Sequence, residues 1–443
     1  MTKTLFPKRE GAGCTNPTTW TRQAAYLVAA FSLLSTTAMA QFTLSGEIRP
    51  RVEYRDGFKR PLEKGSDAAF FVEQRTRINA QFTAEKFNVY VSFQDVRNWG
   101  ATAQIYKADP SLQNLYEAWA AFKINPKHSI LLGRAALDYD NARILGNLDW
   151  AAQGRSHDLL KYEFAGEHSK LHVGAAFNQD ANTPEPTKLS STFYGVPGNY
   201  KTMQYAWFHQ DWNSAGLSAL FLNNGVQSAA DSIVRFSQTA GVYGTASFGN
   251  VALEYDAYYQ FGKNPSGRTV SAYLLGANLT FWKASPMNFT VGGDLLTGDN
   301  SSTAGTDETF NPLYGTHHKF YGFMDYFYVG NSHKNKGLVD VFVKTRIKAG
   351  ERSSVLAHLH HFFSQSSIVS ESSEKMSSSL GTELDLVYNF NITQGVVLNG
   401  GYSAMFFTNS LEYLKDSVDP KAATWAWVMI GFKPTLFTTK SDK

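Results

Sequence analysis

Apolar and polar residues alternate at every second position through most of this sequence, and that period limits the fold more than any other feature. Residues 42–55 put Phe42, Leu44, Ile48, Val52 and Tyr54 on one face. Thr43, Ser45, Glu47, Arg49, Arg51, Glu53 and Arg55 fall on the other. Residues 72–82 set Val72, Thr76, Ile78 and Phe82 against Glu73, Arg75, Arg77, Asn79 and Gln81. Residues 251–261, 339–348 and 383–392 repeat the pattern; in 339–348, Val339, Val341, Val343 and Ile347 oppose Asp340, Lys344, Arg346 and Lys348. Successive side chains of a strand point to opposite faces, so each stretch is a strand with one apolar and one polar side. No stretch after Gln41 has the run of about 20 apolar residues that a membrane helix needs.

A soluble sandwich and a membrane barrel both use such strands. Connection lengths separate them. Short links at 84–86, 125–128, 165–170, 211–216, 248–250, 283–286, 348–352 and 391–395 alternate strictly with long polar ones. The long ones are 56–69, 97–112, 135–157, 179–199, 223–232, 262–268, 297–337, 365–379 and 408–423. A sandwich has no reason to keep its long loops at one end. Tight periplasmic turns facing long extracellular loops are the outer-membrane arrangement. The expected fold is therefore all-β, a transmembrane antiparallel barrel of about 18 strands, an even number that leaves both ends in the periplasm. The aromatic-rich stretch 320–329 is assigned to a loop. The last strand is expected to run unbroken over 424–437, ahead of a short polar tail.

Lys3, Lys8, Arg9 and Arg22 precede an apolar run from Ala24 to Leu34, and Ala38-Met39-Ala40 precedes Gln41. This order is that of a secretory leader. Residues 1–40 are expected to be a signal peptide and 41–443 a single barrel domain in the bacterial outer membrane. The one cysteine, Cys14, leaves with the leader, which excludes a disulfide scaffold. Removing 1–40 takes four basic and one acidic side chain from totals of 41 and 38, leaving 37 of each. A formally neutral chain makes no case for a nucleic-acid partner. The expected partners are outer-membrane lipid and lipopolysaccharide, the barrel-assembly machinery and a transported solute, with the chain acting as a monomer.

The polar faces carry the chemistry. Arg49, Arg51, Arg75 and Arg77 fall on the inward side of the first two strands, among Glu47, Glu53 and Glu73. They form either a self-neutralising wall or a lane that holds carboxylates in bidentate contacts. Lys344 and Arg346 face inward on a later strand. The excursion 135–157 is dense in charge, including Asp138, Asp140, Arg143, Asp149 and Arg155, and is expected to fold inward as a constriction. The loop 297–337 ends in a run too apolar to hang in water, and is expected to pack into or across the mouth. Asp294, Asp299, Asn300, Asp307 and Glu308 offer oxygen ligands for Ca²⁺ without any EF-hand spacing. His317-His318 and His358-x-His360-His361 lack carboxylate or thiolate partners at ligand spacing, so no metal or other cofactor is assigned. No nucleophile elbow, P-loop or H-E-x-x-H motif occurs.

Gly133-Arg134, RILGNLDW at 143–150, QGRSHD at 153–158 and FNPLYGTHHKFYGFMD at 310–325 together resemble the alginate-export family of outer-membrane barrels. The resemblance implies an 18-stranded barrel with an arginine-rich conduit for an anionic polysaccharide. It marks Arg134, Arg143 and Arg155 as conduit candidates, together with Arg75 and Arg77. The expected function is passive conduction of alginate-like polyuronates or related small anions. A nonspecific general-diffusion porin and an outer-membrane enzyme are the alternatives, the latter without a catalytic constellation to support it.

Overall fold

The computed structural model describes residues 40–102, 112–179, 194, 196, 198–330, 332–417 and 419–439. The leader assigned to 1–40 lies outside them except for Ala40, and so does the end of the polar tail. The first wall strands are β1 (Gln41–Asp56), β2 (Ala69–Thr83), β3 (Phe87–Asn98), β4 (Leu112–Asn125), β5 (His128–Ala135) and β6 (His157–Ala165). They are followed by β7 (Ser169–Phe177), β8 (Thr202–Trp212), β9 (Ala215–Gln227), β10 (Val234–Phe248), β11 (Val251–Lys263), β12 (Thr269–Phe281) and β13 (Met287–Leu296). A two-residue β14 (Thr306–Asp307) lies in a loop and pairs parallel to β12. The wall resumes with β15 (Leu338–Lys348), β16 (Ser353–Phe363), β17 (Ser379–Thr393), β18 (Val396–Phe407) and β19 (Ala423–Phe432), and β20 (Thr435–Thr438) follows. Among the described residues the only α-helix is α1 (Asn409–Leu414), on the loop before β19.

These strands make a closed antiparallel barrel of 18 wall strands. Each pairs with its sequence neighbours, and β1 closes the ring by pairing β2 on one side and β19 on the other, with Arg51 opposite Met429. Closure leaves no sheet edge unpaired in hydrocarbon, where an unmatched backbone amide would cost several kcal/mol. Short turns lie at the periplasmic end and long loops at the extracellular end. The segment 320–329 is loop, as its sequence suggests. The final strand is broken, contrary to expectation. Pro434 has no N–H to give a ladder, so pairing stops at Phe432 and resumes as β20 against β1 with a shifted register. The Pro434 carbonyl still accepts the Gly46 N–H at 3.0 Å.

Strand parity sorts the side chains. Leu132, Val341 and Val428 stand on the outer face, each more than half exposed, as lipid-facing residues must be. Glu53, Asp340 and Glu383 are wholly buried on the inner face. Trp212, Phe248 and Trp282, at successive short turns, form part of an aromatic girdle where hydrocarbon meets water.

Val343 faces lipid near the middle of β15, and Arg346 faces inward on the same strand. An arginine at a lipid-facing midplane site costs ~2–4 kcal/mol, while truncating a lumen side chain costs little. Val343→Arg is expected to impair refolding into lipid by that amount in urea titrations. Arg346→Ala is expected to refold normally and to alter only conduction. The opposite pattern would invert the inside–outside assignment.

Candidate functional site

β1 and β2 pair so that Glu47 lies opposite Arg77, Arg49 opposite Arg75 and Arg51 opposite Glu73. All six point inward. Like charges directly across a ladder destabilise it, so the Arg49–Arg75 pair needs acid nearby. Glu47 accepts from Arg75 at 2.8 Å, and Arg51 donates to Glu53 at 2.7 Å and Glu73 at 2.8 Å. The remaining acid comes from the excursion between β5 and β6. Asp149 accepts from Arg75 at 2.8 Å and Arg49 at 3.4 Å, with Arg77 at 3.8 Å. Arg75 is fully buried, yet the Asp149 side chain is 50% exposed, so the carboxylate lies on the wall with one side open. Burial would raise its pKa, but Arg75 and Arg49 outweigh burial and hold it below the ordinary carboxylate value.

Neighbouring groups fix the guanidinium planes. Arg77 lies 3.6 Å over the Tyr116 ring and donates to Gln94 at 3.0 Å. Arg51 lies 4.3 Å over Trp150 and donates to its carbonyl at 2.8 Å. Trp150 in turn stacks on His318 at 4.6 Å and meets Trp427 edge-on at 4.8 Å. A planar cation stacked on an aromatic face keeps its edge free for bidentate contacts.

The same excursion is fastened to the far wall. Asp140 accepts from Trp207 of β8 and Ser218 of β9. Arg143 grips Asp294 of β13 in a fork of 2.7 and 3.0 Å and reaches Asp256 of β11 at 3.3 Å. Its guanidinium also lies 3.7 Å over Phe320 and donates to the Tyr321 hydroxyl at 3.0 Å. Burial disfavours the charged form, but Asp256 and Asp294 prevail and hold the Arg143 proton more tightly than usual. Residues 135–157 therefore contact both sides of the barrel, with Arg143 anchoring one end and Asp149 touching the arginine ladder at the other.

The loop 297–337 lies against this segment. Ile144 and Gly146 exchange backbone hydrogen bonds with Tyr314, and Thr316 donates to Ala142, all between 2.9 and 3.1 Å. Gly315 allows this approach, because a Cβ there would sit 2.1 Å from the Arg143 carbonyl. Arg155 adds a hydrogen bond to the Gly315 carbonyl at 2.9 Å. Ala142, Leu148, Tyr321 and Asp325 all hold positive φ, strain that only a closely packed environment sustains. Phe310, Met324, Tyr326 and Phe327 are buried, and Tyr326 donates to the Gly57 carbonyl at 2.6 Å. Toward the short-turn end, a cavity of about 400 Å³ is lined by Glu117, Trp119, Lys123, Lys161, Glu163 and His172.

The arginines singled out from sequence thus lie in different places. Arg49, Arg51, Arg75 and Arg77 form one inner cluster. Arg143 and Arg155 are structural fastenings of the two loops. Lys344 is inward, 4.0 Å over the Phe342 ring, and Arg346 is inward and exposed. Arg134 requires a correction. It follows Leu132 by two on β5, so it shares that residue's outward face, where it pairs with Asp158 at 2.8 Å. It does not face the lumen. The proposed Ca²⁺ ligands do not converge: Asp294 is held by Arg143, Asp299 by Arg268, and Asp307 by Asn264. Asp149 as an arginine partner, Tyr116 and the cavity lysines were not singled out, because their roles depend on contacts between distant segments.

A closed barrel with a charged inner wall and long loops drawn onto that wall defines an outer-membrane channel of the porin class. The model of the alginate export family matches residues 40–421, and the chain belongs to that family. It resides in the bacterial outer membrane. No curated protein matches the sequence. Several solved Pseudomonas aeruginosa structures share the fold. OpdQ is 11% identical with a TM-score of 0.58, covering 89% of this chain and 98% of its own. OccK9 (OpdG) is 11% identical with a TM-score of 0.60 over 89% and 98%. OccK2 (OpdF), solved in complex with glucuronate, is 10% identical with a TM-score of 0.60 over 89% and 97%.

Two predictions follow from the fastenings. Arg143→Ala would leave Asp256 and Asp294 buried without their cation, at a cost of ~3–5 kcal/mol. Protease cleavage within 135–157 and a lowered urea midpoint should report it; an unchanged midpoint and an intact loop would show that Arg143 is not the anchor. The second concerns His333, buried between Phe327 and Tyr328 with no hydrogen-bond partner on either ring nitrogen. Burial pushes its pKa from 6.5 down to about 3. The folded loop then binds fewer protons than the open one, so stability present above pH 6.5 is lost as pH falls toward 3. The protection factors of amides in 310–330, taken relative to intrinsic exchange at each pH, should fall on acidification across that window, less so in His333→Phe. An equal fall in both proteins would assign the effect to other groups.

Proposed function

We propose that this channel conducts anionic saccharides, uronate-bearing chains or related small anions, by passive transport through the arginine-lined side of its lumen. One observation carries the reading: the wall already holds a carboxylate. Asp149 sits among Arg49, Arg75 and Arg77 with half its surface open, occupying the position that a passing uronate would take. The family's name and the glucuronate complex of OccK2 point to the same chemistry.

In this reading a solute carboxylate displaces Asp149 to reach Arg49, Arg75 and Arg77, which Asp149 otherwise covers, and Arg51 is held in place by Trp150. Glu47 shares the Arg75 and Arg77 guanidinium groups and keeps binding weak enough for release, while Glu53 and Glu73 occupy Arg51. The segment 135–157 acts as the constriction, and 297–337 caps it. Lys344 and Arg346 continue the positive lining on another strand, while Arg143 and Arg155 serve the channel by holding the constriction rather than by touching solute.

Planar-bilayer recording tests this directly. Wild-type protein should pass an anion-selective current that oligouronates block better than neutral oligosaccharides of equal length. No current, or a cation-selective one, would end the proposal. Asp149→Asn should strengthen oligouronate block by about tenfold, equivalent to about 1.4 kcal/mol, because one competing carboxylate is gone. Deleting 138–153 should raise conductance; unchanged conductance would remove the constriction role.

A further inference from the structure

We propose that β16 and β17 carry a binding site for a divalent transition-metal ion on the inner wall, with His358, His360 and Asp385 as ligands. The two histidines lie two residues apart on one strand and so share its inward face. The β16–β17 register sets His358 opposite Asp385 and His360 opposite Glu383. A ring nitrogen from each histidine and a carboxylate oxygen of Asp385 all lie within 4.8 Å of one another. Asp385 and His360 are each 1% exposed, and His358 is partly exposed, which leaves an approach from its side.

The surrounding groups prepare these ligands. Asp340 pairs with the Nδ1 of His360 at 2.9 Å, which turns Nε2 toward the site. A carboxylate behind a histidine in this way fixes its tautomer and strengthens it as a ligand. Ser403 donates to one oxygen of Asp385, and the Glu383 carboxyl lies within hydrogen-bond reach of Asp385. The Nδ1 of His358 is buried without a partner. Such groups are costly when left unmatched. Asp340, Glu383 and Asp385 bring three carboxyl groups to this stretch of the inner wall, beside Lys344, which faces His358 across β15–β16. Two imidazoles with carboxylate oxygen suit Zn²⁺, Ni²⁺ or Cu²⁺ better than Mg²⁺ or Ca²⁺.

The site also adjoins the loop 297–337. The Phe323 ring lies 5.1 Å from His358, and the Met324 N–H donates to Glu383 at 2.7 Å. An ion bound here would tie β16 and β17 together directly beneath that loop.

The test uses the full-length protein in detergent, stripped with a chelator and titrated with ZnCl₂ in a calorimeter. One equivalent should bind with a dissociation constant below 10 μM, roughly 7 kcal/mol or more of binding free energy. His358→Gln and Asp385→Asn should each weaken it by at least about 100-fold, and Asp340→Asn by about 10- to 100-fold. His168→Gln, in an exposed periplasmic turn, should change nothing. Heat-modifiable gel mobility verifies folding of each variant. Should a variant fail to fold, Co²⁺ absorption of the wild-type protein decides the matter, since a four-coordinate nitrogen and oxygen site gives visible bands far stronger than those of the hydrated ion, and their absence would overturn the site. Absence of binding to wild-type protein, or binding that survives both His358→Gln and Asp385→Asn, would overturn the site.

Discussion

A strand in hydrocarbon cannot leave a backbone amide unpaired, and everything else in this molecule depends on how that demand is met. Pairing β1 with β19 satisfies it for the whole ring. The same closure encloses one face of every strand. Side chains on that face meet each other rather than lipid, so charge is tolerated there if it is matched. The inner face of β1 and β2 shows the result. Eight arginine and glutamate side chains share a small area, and the like-charged pair Arg49–Arg75 is bridged by an acid from outside the wall.

Matching the wall is therefore a task shared with the loops. The excursion 135–157 supplies Asp149 to one side and Arg143 to the other, neutralising charges that the strands alone leave over. The loop 297–337 covers Arg143 with the Phe320 ring and stacks His318 on Trp150, next to Asp149. Stability of the loops and electrostatics of the wall are then one problem. The residues that distinguish this chain's two loops, 143–150 and 310–325, are those through which the loops touch each other and the wall.

The barrel was legible in the sequence because each strand reports its own two faces, and the alternation of link lengths reports which end each loop occupies. Neither signal needs a partner to be known. The break at Pro434 was written in the sequence too, but the aromatic run on either side masked it. Reading the site was harder. Parity tells which side a residue faces and nothing of what it meets. Arg134 was grouped with the conduit through its motif, although counting from Leu132 places it outside. His358 and Asp385 lie 27 residues apart, and only the β16–β17 register puts them opposite each other. Asp149 meets Arg75 across 74 residues through a loop whose path no local pattern encodes.

The backbone hydrogen bonds between Ala142–Gly146 and Tyr314–Thr316 have a mechanical consequence. Two separate flaps could rattle independently, each giving its own partial closure. Stitched together, they are a single beam clamped at Arg143 and braced by the aromatic residues behind it. A beam of that kind transmits load along its length, so a push on Asp149 is resisted at Asp294, on the opposite side of the ring.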